Sequence, residues 1–311
     1  MLIRDRKRIL SELNTNFLGT LKKYNSFLLG NDSQPRLKAK LKYLFDFADG
    51  GKKYDNAVFD DIKYFLLFMC NPRSGHSLIG SILDAHPNIV ISHELNVLHY
   101  FEYLNFDYKR IYSMILSNSR KLSESKSRFQ TGYNYNIPYK FAGDYDKLTV
   151  IGDKQGEGNI QFIRFEPKLF LKILEIFKKN LKIICVLRNP YDNISAMYRV
   201  LKHRLSMESV IKRYFCNIRV FDLIRNKLDK EQTYFYKHES LLENPKSILN
   251  EICSFLGVEV PSDYLSVCDG IINKKPHKRR YKENWTKDDL DLIEEYMKKK
   301  DFIEYMKGYS F

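Results

Sequence analysis

From residue 64 onward the chain alternates between short unbroken apolar runs and longer stretches with apolar positions three and four apart. The first run is Tyr64-Phe65-Leu66-Leu67-Phe68-Met69-Cys70. With no polar position in its interior, it reads as a strand covered on both faces. Asn71-Pro72-Arg73-Ser74-Gly75 then reads as a loop. Residues 76–85 place Leu78, Ile79, Ile82 and Leu83 on one helical face, and His86-Pro87 closes that helix. Further strands are predicted at 89–91, 148–152, 182–187 and 233–236. Between them, residues 166–179 carry Leu169, Phe170, Ile173, Leu174 and Phe177 at helical spacing, with Pro167 near the start. A helix over 245–256 meets Gly257 as its cap, and a last helix starts at Trp285-Thr286, with Asp288 and Asp289 in its first turn. Residues 94–128 read as polar and helical, and residues 129–147, rich in Tyr and Gly, as an insert or loop. Strands that alternate with helices argue for an α/β fold, a parallel sheet with helices on both faces.

The first 62 residues differ. They are polar and Lys-rich, break at Gly50-Gly51, and fit two helices near 5–29 and 36–48. Two units follow: a helical N-terminal extension, 1–62, and an α/β domain, 63–311. Nothing repeats, and no tract is of low complexity. The seven-residue run at 64–70 is far short of the roughly 20 apolar residues that span a bilayer. Residues 1–10 are charged throughout, with no apolar core of a secretory signal. Five cysteines (Cys70, Cys185, Cys216, Cys253, Cys268) lie scattered, without a CxxC pair. Reduced structural thiols in a cytoplasmic protein, without stable membrane insertion, are the expectation.

Charge narrows the partner without naming it. Lys and Arg total 52 against 38 Asp and Glu, a net charge of +14. Such a balance suits an anionic partner: nucleic acid, an anionic surface or a phosphorylated small molecule. The excess gathers at Arg4–Arg8, Lys274–Arg280 and Lys298–Lys300. No nucleic-acid motif accompanies these clusters, and they lie far apart along the chain, so no nucleic-acid partner is expected.

Two segments carry chemistry. In Cys70-Asn71-Pro72-Arg73-Ser74-Gly75-His76-Ser77 a buried strand feeds a tight loop that opens a helix. Free N–H groups and the positive dipole end at a helix start suit a phosphate. Arg73 adds a charged fork, and Ser74 and Ser77 add hydroxyls. A strand–helix turn shaped only by Pro and Gly is the other reading. GxxxxGK[ST] is absent, which speaks against a P-loop kinase and its Mg²⁺–ATP. Val186-Leu187-Arg188-Asn189-Pro190 repeats the design, with an arginine at a strand's C-terminal end, where ligands of open α/β sheets collect.

Together these segments resemble the 5′- and 3′-phosphate loops of sulfotransferases that use 3′-phosphoadenosine-5′-phosphosulfate (PAPS). The run at 72–88 is most similar to the branch that includes tyrosylprotein and many bacterial sulfotransferases. Gly152-Asp153-Lys154, the run at 237–245 with Phe255-Leu256-Gly257, and the basic run before Trp285 extend the resemblance over about 64–311. It implies a three-layer, P-loop-like α/β fold. It implies sulfuryl transfer from PAPS to an acceptor hydroxyl, with PAP as product and no metal. The acceptor is expected to be a carbohydrate or small metabolite. Carried over by position, Arg73, Ser74, Gly75, His76 and Ser77 would bind the 5′-phosphosulfate, and Arg188 and Ser195 the 3′-phosphate. His238 would face the adenine, and Lys274–Arg280, including Lys278, Arg279 and Arg280, would close over the nucleotide. Glu94 would be the base, with His93 as its rival, while Lys154 and Arg73 would sit at the transferring group. Two departures stand out: the family's 3′-loop serine falls one position later, at Ala196 here, and His76 replaces the usual Thr.

Overall fold

A computed structural model describes residues 54–124, 129–130, 133–275 and 277–311. The two helices expected within 1–62 lie outside the described residues; of that segment the structure shows a 3₁₀ turn, Asn56–Phe59, capped by Asp55.

Five strands form one parallel sheet. In chain order the elements begin with β1 (Tyr64–Phe68), α1 (His76–Asp84), β2 (Ile89–His93), α2 (Tyr100–Tyr103) and α3 (Tyr108–Glu124). A two-stranded antiparallel pair, β3 (Phe129–Gln130) and β4 (Tyr133–Asn134), precedes β5 (Val150–Lys154). Next come α4 (Glu157–Phe165), α5 (Pro167–Phe177), β6 (Leu181–Leu187), α6 (Pro190–Leu201) and α7 (Met207–Arg225). The chain continues with β7 (Thr233–Lys237), α8 (His238–Glu243), α9 (Pro245–Phe255), α10 (Ser262–Ile271), α11 (Lys287–Lys298) and α12 (Ile303–Met306). The strand order in the large sheet is β2-β5-β1-β6-β7.

The period-2 geometry of a strand explains why the central runs are apolar throughout. Phe65, Leu67 and Met69 point into one core with Ile151, Ile183 and Cys185, beneath α3, α4, α5, α6 and α7. Leu66, Phe68 and Cys70 point into the other with Val150, Ile184 and Val186, beneath α1, α9 and α10. A polar residue on either face would be stranded in a hydrophobic layer. This is the three-layer α/β arrangement expected from the alternation of elements.

Some expectations shift. The strand placed at 148–152 runs over Val150–Lys154, the five residues that pair with Ile89–His93 of β2. The helix expected at 166–179 is preceded by a second one, α4, and α7, with nineteen residues, is the longest described helix. Asp84, at the end of α1, is fully buried, accepting from the Ile91 N–H at 2.7 Å and the Ser119 hydroxyl at 2.7 and 2.8 Å. The Tyr-rich segment docks at that same end of α1, where Gly143 N–H donates to the Asp84 carbonyl and Tyr139 donates to Asp263. That end of α1 is remote from the loop that opens it. All five cysteines are free and buried. Among the described residues no helix is long and apolar enough to cross a membrane.

Candidate active site

The strand order puts the C-terminal ends of β5, β1 and β6 side by side. Three loops therefore share one edge of the sheet: 69–75 after β1, 155–156 after β5 and 188–189 after β6.

The β1 loop turns sharply into α1. Gly75 has φ +101°, a left-handed conformation, and a Cβ there would lie 2.4 Å from Nδ1 of His238. Only glycine lets the loop approach that ring so closely. Arg73 has φ +67° although it is not glycine. Holding it there costs about 1 kcal/mol or more, strain of the kind that gathers at ligand sites. Ser74 is fully buried, and its hydroxyl pairs with Nδ1 of His76 at 3.2 Å. Burial, then the Lys154, His93 and Arg73 charges, drive the His76 pKa well below its usual value, so the ring is neutral at pH 7. The first N–H groups of α1 have no acceptor within the helix and carry its positive end.

Lys154 ends β5 and is fully buried. Its ammonium donates to the Ser77 hydroxyl at 3.1 Å and to Glu94 Oε1 at 2.9 Å, and lies 3.3 Å from His93 Nε2. Burial lowers its pKa, and the adjacent Glu94 and Asp153 carboxylates oppose that. Its stem crosses α1 at Gly80, where a Cβ would come within 2.6 Å of Lys154 Cγ. Glu94 also has a positive φ, +54°, and its side chain is 47% exposed, open to an incoming molecule. Asp153, behind the lysine, accepts from Ser92 and from the Leu95 and Val97 N–H groups, fixing the segment that carries Glu94.

Arg188 extends from β6 toward the β1 loop. Its guanidinium donates to the Arg73 carbonyl at 3.0 Å and to the His277 carbonyl at 2.7 Å. The basic segment 277–280 is thus drawn over the loops, and Arg280 secures it. The Arg280 N–H donates to Asp192 Oδ1 at 2.9 Å, and its guanidinium pairs with Asp192 Oδ2 at 3.1 Å and with the Ser310 carbonyl at 2.5 Å. Arg279 is half-buried and Lys278 exposed. His238 follows β7; burial, then Arg188 and His277, lower its pKa to about 4, and its Nδ1 is buried without a hydrogen-bond partner.

Ser195 stands apart. It is fully buried in α6 and donates its hydroxyl to the Tyr191 carbonyl at 2.8 Å. Back-bonding to the carbonyl one turn earlier is common for a serine inside a helix. Arg73, Ser74, Gly75, His76, Ser77, His93, Glu94, Lys154, Arg188 and His238 are brought to one edge; Ser195 is directed into its own helix.

Several residues of the site had no signal in the sequence. Asn71 is buried and donates to the Tyr214 carbonyl, Asn193 donates to the Pro72 carbonyl at 2.7 Å, and Tyr214 donates to the Arg188 carbonyl at 3.0 Å. Each contact joins residues far apart in the chain, where no spacing rule applies. Among the described residues no group of three or more His, Cys, Asp or Glu is arranged to hold a metal ion.

A family model described as "Sulfotransferase family" matches residues 66–262. No curated protein matches the chain. Solved structures similar to it include sulfotransferase STF9 from Mycobacterium avium, 10% identical, with a TM-score of 0.48, covering 86% of this chain and 81% of that one. The sulfotransferase domain from the curacin biosynthetic pathway is 15% identical, with a TM-score of 0.47, covering 80% of this chain and 99% of that one. Mouse sulfotransferase SULT7A1, solved in complex with PAP, is 13% identical, with a TM-score of 0.46, covering 84% of this chain and 96% of that one.

Proposed function

This chain belongs to the sulfotransferase family, and from that premise we propose that it moves a sulfuryl group from PAPS to a hydroxyl of a carbohydrate or small metabolite. One observation carries the reading. A buried lysine ammonium is held among Ser77, His93 and Glu94, one strand from a helix-opening loop over which Arg188 is laid.

The residues fit a nucleotide with phosphates at both ends. The β1 loop and the start of α1 offer N–H groups and Arg73 to one phosphate. Arg188 and the 277–280 segment offer positive charge to the other. His238, whose ring packs against Gly75 of the β1 loop, would lie beside the base.

Sulfuryl transfer is an in-line displacement with charge spread over peripheral oxygens, so positioning and charge do most of the catalysis. Glu94 takes the proton that leaves the acceptor oxygen as that oxygen bonds to sulfur. Lys154, Arg73 and the N-terminus of α1 hold the negative charge left on the 5′-phosphate oxygen as its bond to sulfur breaks. His76, kept neutral by burial, adds no charge of its own. His93 faces the same ammonium and is the other candidate base. The five free, buried thiols suit a reducing compartment, and we place the enzyme in the cytoplasm.

Thermal unfolding with PAP, against ATP and Mg²⁺, tests the donor. A ligand at a hundred times its Kd stabilises the fold by about 2.7 kcal/mol, so PAP should raise Tm by several degrees and ATP with Mg²⁺ should not. The converse pattern overturns the reading. Glu94→Gln and His93→Gln identify the base: the one that abolishes PAP formation from PAPS while PAP still binds is the proton acceptor.

A further inference from the structure

Hydrogen bonding fixes the separation of neighbouring strands at about 4.8 Å, but it stops at the strand ends. The three loops of the site lie beyond those ends, on β1, β5 and β6. A nucleotide held at both phosphates, with a reacting group between, requires the loops to keep a set spacing. Arg188 ties two of the loops directly through the Arg73 carbonyl, and further ties come from outside the sheet.

The helix α7 bonds to two of these loops and to the helix that follows the third. Asn217, 1% exposed, has two amide hydrogens, and each goes to a different segment: one to Asn71 Oδ1 in the β1 loop at 2.8 Å, the other to Glu157 Oε1 at the start of α4 at 2.8 Å. Asn71 is the first loop residue after the β1 run. Glu157 opens α4, three residues after Lys154. Both acceptors can only be oxygens here, so the amide orientation is fixed by its surroundings. One turn earlier, Tyr214, also 1% exposed, donates its hydroxyl to the Arg188 carbonyl at 3.0 Å. Its own carbonyl accepts from Asn71 Nδ2 at 3.2 Å. Arg213 clamps both oxygens of Glu157, at 2.6 and 2.9 Å, which orients that carboxylate toward Asn217. Positions 213, 214 and 217 share one face of the helix. Val210 and Phe221 continue that stripe into the core, and Ile211, Phe215 and Ile218 anchor the neighbouring face there.

We propose that α7 is the positioning element of the site, with Tyr214 and Asn217 setting the separation of the two phosphate loops and of the Lys154 loop. Neither side chain touches substrate. Asn217 fixes where Asn71 and Glu157 stand, and Tyr214 fixes the peptide of Arg188. The inference rests on the donor reading only for its consequence, tighter nucleotide binding; the ties themselves exist without nucleotide.

Amide hydrogen exchange on the nucleotide-free protein, together with PAP titration, tests it. Asn217→Ala should speed exchange in residues 69–77 and 153–159, and Tyr214→Phe, which loses one oxygen atom, in residues 186–193. Each should do so by about fivefold, as the loss of one such hydrogen bond implies. Each should also weaken PAP binding by a similar factor. Ile224→Val, which removes one buried methyl from the same helix, is the control and should leave exchange in all three loops unchanged. If exchange rises only within 207–225, or rises in the loops equally for Ile224→Val, the helix is merely structural and the inference falls. Should Asn217→Ala fail to fold, Tyr214→Phe alone decides between these outcomes. If the wild-type protein binds no PAP while the exchange pattern appears, the donor reading fails and the positioning role stands.

Discussion

Replacing Gly80 by Ala is expected to leave the protein folded while slowing its chemistry. The added methyl would lie 2.6 Å from Lys154 Cγ, 3.0 Å from its Cβ and 3.6 Å from its Cδ. Carbon atoms rest about 3.5–4.0 Å apart, so the lysine stem must retreat by about 1 Å. Its ammonium has little room to follow, held at 3.1 Å from Ser77, 3.3 Å from His93 and 2.9 Å from Glu94. Overpacking costs about 1–3 kcal/mol, and the better helix propensity of Ala returns about 1 kcal/mol, so stability falls by about 2 kcal/mol at most. A misplacement of about 1 Å at a reacting centre costs about a hundredfold in rate. The assay is PAP formation from PAPS with saturating acceptor, with PAP affinity and the urea midpoint measured on the same preparations. The expected result is a kcat about a hundredfold lower with PAP affinity kept. Full kcat in Gly80→Ala would refute the role given to the lysine's position. A kcat that falls only in step with the folded fraction would reduce the effect to stability.

Acid should destabilise the fold through its buried histidines: His86 and His238 are lowered from 6.5 to about 4, chiefly by burial, and His76 and His99 are lowered likewise. The unfolded chain takes up protons below about pH 6.5 that the folded chain refuses, so stability falls as pH drops from 6.5 toward 4, by about 3 kcal/mol each for His86 and His238; a urea midpoint that stays flat over that range refutes it. Arg188→Lys keeps the charge but cannot bridge the Arg73 and His277 carbonyls, so PAP affinity should fall about tenfold by calorimetry, and wild-type affinity would show that charge alone matters. Asp84→Ala strips a buried acceptor from the Ile91 N–H and the Ser119 hydroxyl and should cost about 3 kcal/mol in urea unfolding, with a loss under about 1 kcal/mol counting against the buried role.

Much of the fold follows from local pattern. The unbroken run at 64–68 and its counterpart at 181–187 specify strands buried on both sides, because only a layer of helices on each face leaves no apolar residue wet. The cap at Thr286 lies within the helix end it satisfies, so it too is legible from a single residue. The helices α4 and α7 are not, since their polar positions on the buried side blur the apolar stripe. In α7 those positions are Tyr214 and Asn217, which face the segments that follow β1, β5 and β6.

Local order along the chain settles which residues end the central strands: Arg73 beyond β1, Lys154 at the end of β5, Arg188 beyond β6. Parallel pairing makes these ends adjoin, because it places every strand's C-terminus on one edge. Which side chains turn toward that edge, and which turn away, is set only when distant segments pack together. Ser195 bonds inside its own helix, Asp84 is sealed in the core, and Lys154 crosses Gly80 to meet Ser77, His93 and Glu94. Strand and helix follow from neighbours a few residues apart, whereas a buried polar group is satisfied by whatever remote segment packs against it.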